Sequence, residues 1–547
     1  MKKNSFVEGT MIATISIVLV KILGMLYVIP FYGIVGSKGG ALYSYAYIIY
    51  LLFLNISSAG LPNAISKIIS EYDTKGYHNT KNRTFKIAQK IITAISVLTF
   101  LVLFAFAEEI GMFIIGDLKD GNTYQDVAFV IRCVAPAVLI VPFLSITKGY
   151  LQGHNIVGPS SMAQIIEQVF RVLIIIIGSY LVMNVFNGSL TLAVGVATAS
   201  AGVSALLAYL YIRKKFKQAS LLDPDIKIKK EEEKITNKMI AKKIAKYAIP
   251  FIIISIITDI YNFTDQILVL RTVSKMGYST DNVEFIASAI ATWSPKICMT
   301  INALAMGMTV PLIPTIVSAF TKKDKKEVND KINRSIALVF YLSLPVAFGI
   351  ATLSQSVWNV FYNTNPYGGM ILGLAVISAL CANIYMIISI ILQSLGKYKL
   401  VYLVAISGFL LNALFDVPWM LLFHYIGLEG FLGSIVSSIC GFSISVIIGL
   451  VGLKKLDKDI HYGKLFKWFT KTLLCGLIMI VPLVILNIVL PVDVTSVGNA
   501  ILKIILYVLI SAPIYLGLSY KFGLLSDLLG EDEIEKILTK LHLRKAN

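Results

Sequence analysis

Apolar runs of roughly twenty residues recur along this chain, each long enough to cross a ~30 Å hydrocarbon core as a helix, and short polar segments separate them. The pattern predicts spans at 6–34, 42–65, 87–107, 125–147, 159–184, 188–212, 244–270, 285–310, 333–355, 369–393, 400–424, 429–452, 466–490 and 498–520, about 14 in all. Charge placement tests this segmentation. With the N-terminus inside, the cytoplasmic loops hold 40 of the 49 Lys and Arg. The opposite loops hold only Lys38, Lys119, Arg271 and Lys275, and the other five cations fall within spans. A wrong helix count would scramble that alternation, so both termini are predicted to be cytoplasmic. The expected fold is an all-α polytopic membrane protein.

The longest polar interruption, Arg213 to Lys246, divides six spans from eight and carries KKFKQ, KIKKEEEK and KMIAKKIAK. Weak internal matches recur at a near-constant offset. Lys21-Ile22-Leu23 lines up with Gln266-Ile267-Leu268, and Phe170-Arg171-Val172 with Phe415-Asp416-Val417. Six helices per repeat is an even number, so two pseudo-symmetric six-helix lobes would share one orientation, as in transporters whose site lies between halves. The predicted organisation is an N-terminal lobe over 1–213, a charged cytoplasmic linker over 214–243 and a C-terminal lobe over 244–453. Two extra helices over 454–522 and a cytoplasmic tail over 523–547 follow, the tail read as a short amphipathic helix.

Composition agrees. The 547 residues are 56% hydrophobic and 15% charged, with a mean hydropathy of +0.77. That excludes an ordinary soluble enzyme, a disordered chain or a disulfide scaffold. The net charge of +18 is accounted for by the cytoplasmic loops, so nucleic acid is not needed to explain it; the linker is expected to lie beside anionic lipid headgroups. Cys133, Cys298, Cys381, Cys440 and Cys475 each sit in an apolar stretch with no CxxC pair, reading as small buried residues rather than metal ligands. The first apolar run is too long for a signal-peptide core and carries Lys21 mid-run, so it is read as a retained first membrane helix.

Ionisable groups in hydrocarbon cost at least ~2.5 kcal/mol each and usually face an interior or a wet cavity. Lys21 and Lys296 have no acid at helical spacing and are read as cavity residues. Gln164, Glu167 and Arg171 share one face of the fifth helix, with Glu167 one turn from Arg171; this pair is either structural or substrate-facing. Asp259, Asn262 and Gln266 share a face of the seventh helix, with Asp265 close by, and Trp293, Lys296 and Thr300 share one on the eighth. Asp259 and Asp265 are read either as partners of the buried lysines or as carriers of a coupling cation. Asn412 and Asp416 on the eleventh helix are the repeat counterparts of Glu167 and Arg171, with Asp416 a candidate to neutralise Arg171. Pro30, Pro62, Pro136, Pro142, Pro250, Pro295, Pro311, Pro314, Pro345, Gly24, Gly60 and Gly307 are expected kink or close-packing positions. No Walker loop, GxGxxG turn, HExxH or GxSxG elbow occurs. The expectation is no enzyme and no cofactor, with any transport driven by an ion gradient or the membrane potential, or running downhill.

The opening FVEGTMIATISIVLVKILGMLYVIPFYGIVG, the segment SSAGLPNAISKIISEY and the stretch SMAQIIEQVFRV resemble the polysaccharide-biosynthesis flippases of the multidrug/oligosaccharidyl-lipid/polysaccharide superfamily. Within it they resemble the branch of stage V sporulation protein B and the MurJ-type lipid II flippases. The resemblance implies two six-helix lobes around a central cavity. It also implies alternating access that carries an undecaprenyl-diphosphate-linked saccharide, lipid II first among the candidates, to the outer leaflet of a bacterial cell membrane. Cell-wall synthesis machinery is an implied partner. In that branch cationic residues on helices 1, 2 and 8 hold the diphosphate. Lys21 matches the first position, as lysine rather than arginine. Tyr27 stands where a second arginine is common, helix 2 offers Ser57 and Ser58 but no arginine, and Lys296 falls in the matching region of helix 8. Alternatives are a flippase for another lipid-linked oligosaccharide, a cation-coupled multidrug exporter using Asp259 and Asp265, or a non-transporting assembly scaffold.

Overall fold

In the computed structural model, the residues described are 6–116, 118–218, 230–302, 324–456, 459–489 and 496–530, with isolated positions between 316 and 322. The predicted tail helix, the linker residues 219–229, and Gly307, Pro311 and Pro314 lie outside them. Nearly all of the described chain is helical, and no strand occurs among the described residues. Among the described residues, twelve stretches are long and apolar enough to cross a membrane. The first runs 61 residues, Ile15–Lys75, which is length for two crossings at ~1.5 Å per residue. The eighth predicted span is present as helix from Thr280 to Trp293 and on through 302. Dividing the first stretch and adding the eighth span brings the count to the expected fourteen.

The chain separates into two compact units, Met1–Lys296 and Ile297–Asn547. The first begins with α1 (Phe6–Leu26) and α2 (Val28–Ser58). Pro30 lies in the opening turns of α2, where a missing N–H is tolerated. Gly36, at φ 64° and ψ −169°, breaks α2 internally, so the first crossing ends close to the predicted boundary at 34. Three short amphipathic helices were not expected: α3 (Leu61–Lys75), α5 (Ala107–Ile115) and, in the second unit, Ser354–Tyr362. Pro62 opens α3 within its first turn rather than kinking a span. Between α2 and α3, Gly60 adopts φ 70°, and a Cβ there would lie 2.3 Å from Phe251 Cβ. Only glycine satisfies both the left-handed backbone and the close approach.

The remaining helices of this unit are α4 (His78–Ala105), α6 (Tyr124–Gly153), α7 (Gly158–Leu173), α8 (Leu190–Gln218), α9 (Lys230–Glu233), α10 (Asn237–Val273) and α11 (Thr280–Ser288). Their ends are satisfied locally. Thr123 and Asp126 form a capping box at the start of α6, and Thr236 accepts from the Met239 amide at the start of α10. Tyr77, before α4, offers no side-chain cap. Glu232 of α9 supplies one instead, accepting from the Thr80 amide at 2.7 Å and the Thr80 hydroxyl at 3.0 Å. Lys243 pairs with Glu71 at 2.7 Å and lies over the Tyr72 ring. The charged linker and the start of α10 are thereby fastened to α3 and α4.

The second unit holds α12 (Lys325–Thr352), α13 (Ser354–Tyr362), α14 (Gly368–Ser394), α15 (Tyr398–Tyr425), α16 (Leu432–Leu456), α17 (Gly463–Val489), α18 (Val497–Lys521) and α19 (Leu524–Leu529). All five cysteines are free; Cys298 and Cys475 are buried as expected, whereas Cys133, Cys381 and Cys440 are only partly buried.

Gly60→Ala is expected to force Phe251 aside and strain the turn, destabilising the protein by about 1–3 kcal/mol. Thermal melting of detergent-purified protein checks this; an unchanged midpoint would remove the steric assignment.

Candidate functional site

Lys296 follows Trp293-Ser294-Pro295. Pro295 has no N–H to offer the Ala291 carbonyl, and its ring crowds that oxygen. The helix accommodates this with one wide turn over Ala289–Trp293, where the Ser294 hydroxyl donates to the Ala289 carbonyl at 2.6 Å. Such π-type turns are frequent at functional sites. Here the turn immediately precedes the lysine and places Trp293 beside it.

The Lys296 ammonium is enclosed by aromatic rings. Its Nζ lies 4.7 Å from the Tyr27 ring centroid, 4.9 Å from Tyr43, 5.0 Å from Tyr47 and 4.7 Å from Trp293. It donates to the Tyr27 hydroxyl, which lies 3.2 Å from the Tyr43 hydroxyl. Tyr43 stacks on Tyr47 and on Trp293, and Tyr32 meets Trp293 edge-on. The residue is only 5% exposed. Ring faces attract a desolvated cation by roughly 0.5–2 kcal/mol each, which offsets part of the several-kcal/mol desolvation penalty. No carboxylate neutralises it among the described residues.

The position of this box depends on buried hydrogen bonds around it. Gln266 of α10 donates to the Ser44 hydroxyl at 2.8 Å, and Ser44 meets Thr292 at 2.6 Å. Glu284, 1% exposed, accepts from the Tyr45 hydroxyl and from the Asn122 amide and side chain. These contacts fix α2, α10 and the helix bearing Lys296 in mutual register.

The fifth span contributes a second charged group. Glu167 accepts from Arg171 one turn on at 2.7 Å, as the spacing suggested, and also from Lys148 of α6 at 3.3 Å. One carboxylate between two cations leaves one positive charge. Arg171 lies near enough to Lys296, Tyr43, Tyr47 and Tyr50 for their charges and dipoles to interact. Two cations from separate helices of the first unit therefore approach one another. Lys148, just past the predicted span 125–147, is buried near the end of α6, and nothing in its neighbouring sequence marks it.

The other expected residues fall as follows. Tyr27 is the acceptor for Lys296. Lys21 is half-buried on α1, six residues before Tyr27 and about 9 Å of helix away. The Ser57 and Ser58 hydroxyls both donate back to the Leu54 carbonyl, at 2.9 and 2.8 Å, so their protons serve the end of α2. Asp259 accepts from Asn55 at 2.6 Å rather than from a lysine among the described residues, and Asp265 is buried on the same helix. Asp416 is fully buried on α15 of the second unit. There Asn412 accepts from the Ser438 hydroxyl at 3.2 Å, and its carbonyl accepts from Ser437 at 2.9 Å. Arg132, within the fourth predicted span, pairs with Glu108 at 2.9 Å. Tyr43 and Tyr47 were missed. Their signal was available in the run YSYAYIIY, where Tyr43, Tyr47 and Tyr50 follow i, i+4, i+7. Among the described residues, no cluster of three or more His, Cys, Asp or Glu could hold a metal ion.

These features define a multi-pass helical membrane protein with charged groups gathered inside its helical bundle rather than at a soluble catalytic cleft. A family model described as polysaccharide biosynthesis protein matches residues 6–320, and the chain belongs to that family. It is 28% identical to lipid II flippase MurJ of Bacillus subtilis (strain 168), covering 96% of this chain and 97% of that protein. It is 23% identical to stage V sporulation protein B of the same organism, over 62% of this chain and 63% of that one. Among solved structures, lipid II flippase MurJ in an inward closed conformation superposes with a TM-score of 0.65 at 17% identity, over 94% of this chain and 99% of that one. An inward-facing multidrug resistance MATE family transporter of the MOP superfamily superposes at 0.63 with 14% identity, over 80% of this chain and 95% of that one. The chain shares the fold of these two solved proteins.

Glu167→Gln strips the counter-charge from Lys148 and Arg171 together and is expected to destabilise the protein by about 3–5 kcal/mol. Adding Lys148→Gln should recover part of the loss. Equal melting midpoints for wild type and Glu167→Gln would show that the carboxylate is not needed there.

Proposed function

We propose that this protein is a flippase that moves an undecaprenyl-diphosphate-linked cell-wall precursor, lipid II in the first instance, from the inner to the outer leaflet of a bacterial cytoplasmic membrane by alternating access between two lobes. The observation that carries this reading is the end-to-end correspondence with a protein named lipid II flippase. The site chemistry supports it. A diphosphate moved through hydrocarbon alone faces a large solvation penalty. Lys296 and Arg171 supply positive field inside the bundle, and Lys21 adds a third cation on α1. A lysine binds phosphate as a point charge without the bidentate fork of arginine.

Energetics favour the outward direction. With both termini cytoplasmic, as the loop charges predict, an anionic headgroup moves down an inside-negative potential. The gain is ~2.3 kcal/mol per charge per 100 mV if the full field is crossed, so no nucleotide site is required.

Lys21→Ala and Lys296→Gln should each abolish rescue of a flippase-depleted strain while protein abundance stays normal, and outer-leaflet accessibility of lipid II should fall with it. Full rescue by both variants would defeat the cationic-site mechanism.

One observation favours a second reading, a cation-coupled exporter of the same superfamily. Asp259, 8% exposed, is held by an amide rather than by a cation, leaving a carboxylate able to attract a positive substrate or coupling ion. On that reading Asp259→Asn eliminates ethidium efflux; the lipid-flippase reading predicts no efflux to lose.

A further inference from the structure

The loops that the charge bias predicts to face outward are nearly stripped of cations: Lys38, Lys119, Arg271 and Lys275 are all that 547 residues place there. Lys38 lies among acids, with Asp126 and Glu284 close enough to feel its charge. The other three converge. Lys119 from the loop after α5, Arg271 from the last turn of α10 and Lys275 from the loop beyond it line a single pocket of about 680 Å³ together with Gly116, Tyr278 and Thr280. That is within the ~300–1,000 Å³ range of ligand sites. Among the described residues the lining carries no carboxylate, and none of the three cations makes an ion pair.

The pocket is built rather than incidental. Arg271 donates to the Phe113 carbonyl at 2.7 Å and lies 4.9 Å from the Phe113 ring centroid, and that ring stacks on Phe263. The guanidinium is thereby held in place with part of its donor fork still uncommitted. The Thr280 hydroxyl donates to the Lys119 carbonyl at 2.8 Å, tying the second loop to the first. Gly116, at φ 59°, turns the first loop so that Arg271 Nε lies 3.8 Å from where a Cβ would be. The positive-inside bias disfavours lysine and arginine on this side. Three of four outer cations in one cleft therefore call for a ligand that rewards them.

We propose that this pocket is an outer-face binding site for the phosphate group of a lipid, with Arg271 as the planar donor and Lys119 and Lys275 as flanking point charges. Two lipids carry that chemistry: a polyprenyl diphosphate arriving from the transport path, an assignment that rests on the flippase reading, and a resident anionic phospholipid. The pocket is distinct from the Lys296 box, so it would receive a headgroup after translocation or anchor the outer loops to the leaflet.

The test uses the purified full chain in phosphatidylcholine nanodiscs, with undecaprenyl diphosphate and phosphatidylglycerol as separate probes and binding read by native mass spectrometry. The Lys119→Gln/Arg271→Gln/Lys275→Gln variant is expected to bind at least one probe about tenfold more weakly than wild type, with a shallower salt dependence. Loss with undecaprenyl diphosphate identifies the transported lipid, and loss with phosphatidylglycerol alone identifies a resident phospholipid. Both support the site. Should the triple variant fail to fold, Lys119→Gln/Lys275→Gln, which alters two exposed side chains, should still weaken binding several-fold. Unchanged affinity for both probes in a folded variant overturns the proposal. Lys21→Ala separates this site from the flippase reading: it should lose strain rescue yet retain the part of probe binding that the outer substitutions remove.

Discussion

A lysine ammonium buried inside a helical membrane protein has to be stabilised without being cancelled, and much of the first unit is arranged around that demand. A carboxylate beside Lys296 would satisfy the charge and erase its field. Aromatic faces and one phenol oxygen stabilise the ammonium while leaving its net charge intact. The contributions are individually small, so several rings must arrive together. They come from the junction of α1 and α2, from α2 itself and from the wide turn before Lys296, which is why the register of those elements matters more than any single contact. Glu167 illustrates the alternative solution, in which a carboxylate holds two cations and one charge survives.

Register in a membrane protein cannot come from hydrophobic burial alone, because lipid tails are as apolar as a leucine core. Buried polar contacts take over that task here. Ser44 with Gln266 and Thr292, and Glu284 with Asn122 and Tyr45, lock helices at specific depths. Glu232 and Lys243 do the same for the linker at the adjoining ends of α3 and α4. A slip of one residue along any of these helices would leave an unsatisfied polar group in a dry setting, at about 1–3 kcal/mol.

The distribution of positive charge gives a route through these elements. Cations are dense in the loops that the charge pattern predicts to be cytoplasmic, sparse within the helices, and three of them meet in one cleft. On the proposed flippase reading each location suits an anionic headgroup at a different stage, and an inside-negative potential would supply direction. The relative named lipid II flippase and the structures that share the fold fit a transporter rather than an enzyme.

The chain by itself determined the number of spans, because hydrophobic length and loop charge are one-dimensional quantities that the bilayer reads directly. It also determined the Glu167–Arg171 pair, which helical spacing puts in reach, and it singled out Lys21 and Lys296 as charges with no local acid. Tertiary structure alone decided what those charges meet. Tyr43 and Tyr47 lie some 250 residues before Lys296, and Lys148 reaches Glu167 from another helix. Asp259 takes an amide from Asn55, and Glu232 caps a helix that starts 150 residues earlier. The convergence of Lys119, Arg271 and Lys275 belongs to the same category. Periodicity reports which face of a helix a residue occupies; only packing reports which other face it is pressed against, and in a low-dielectric interior that second fact sets the energy of every charge.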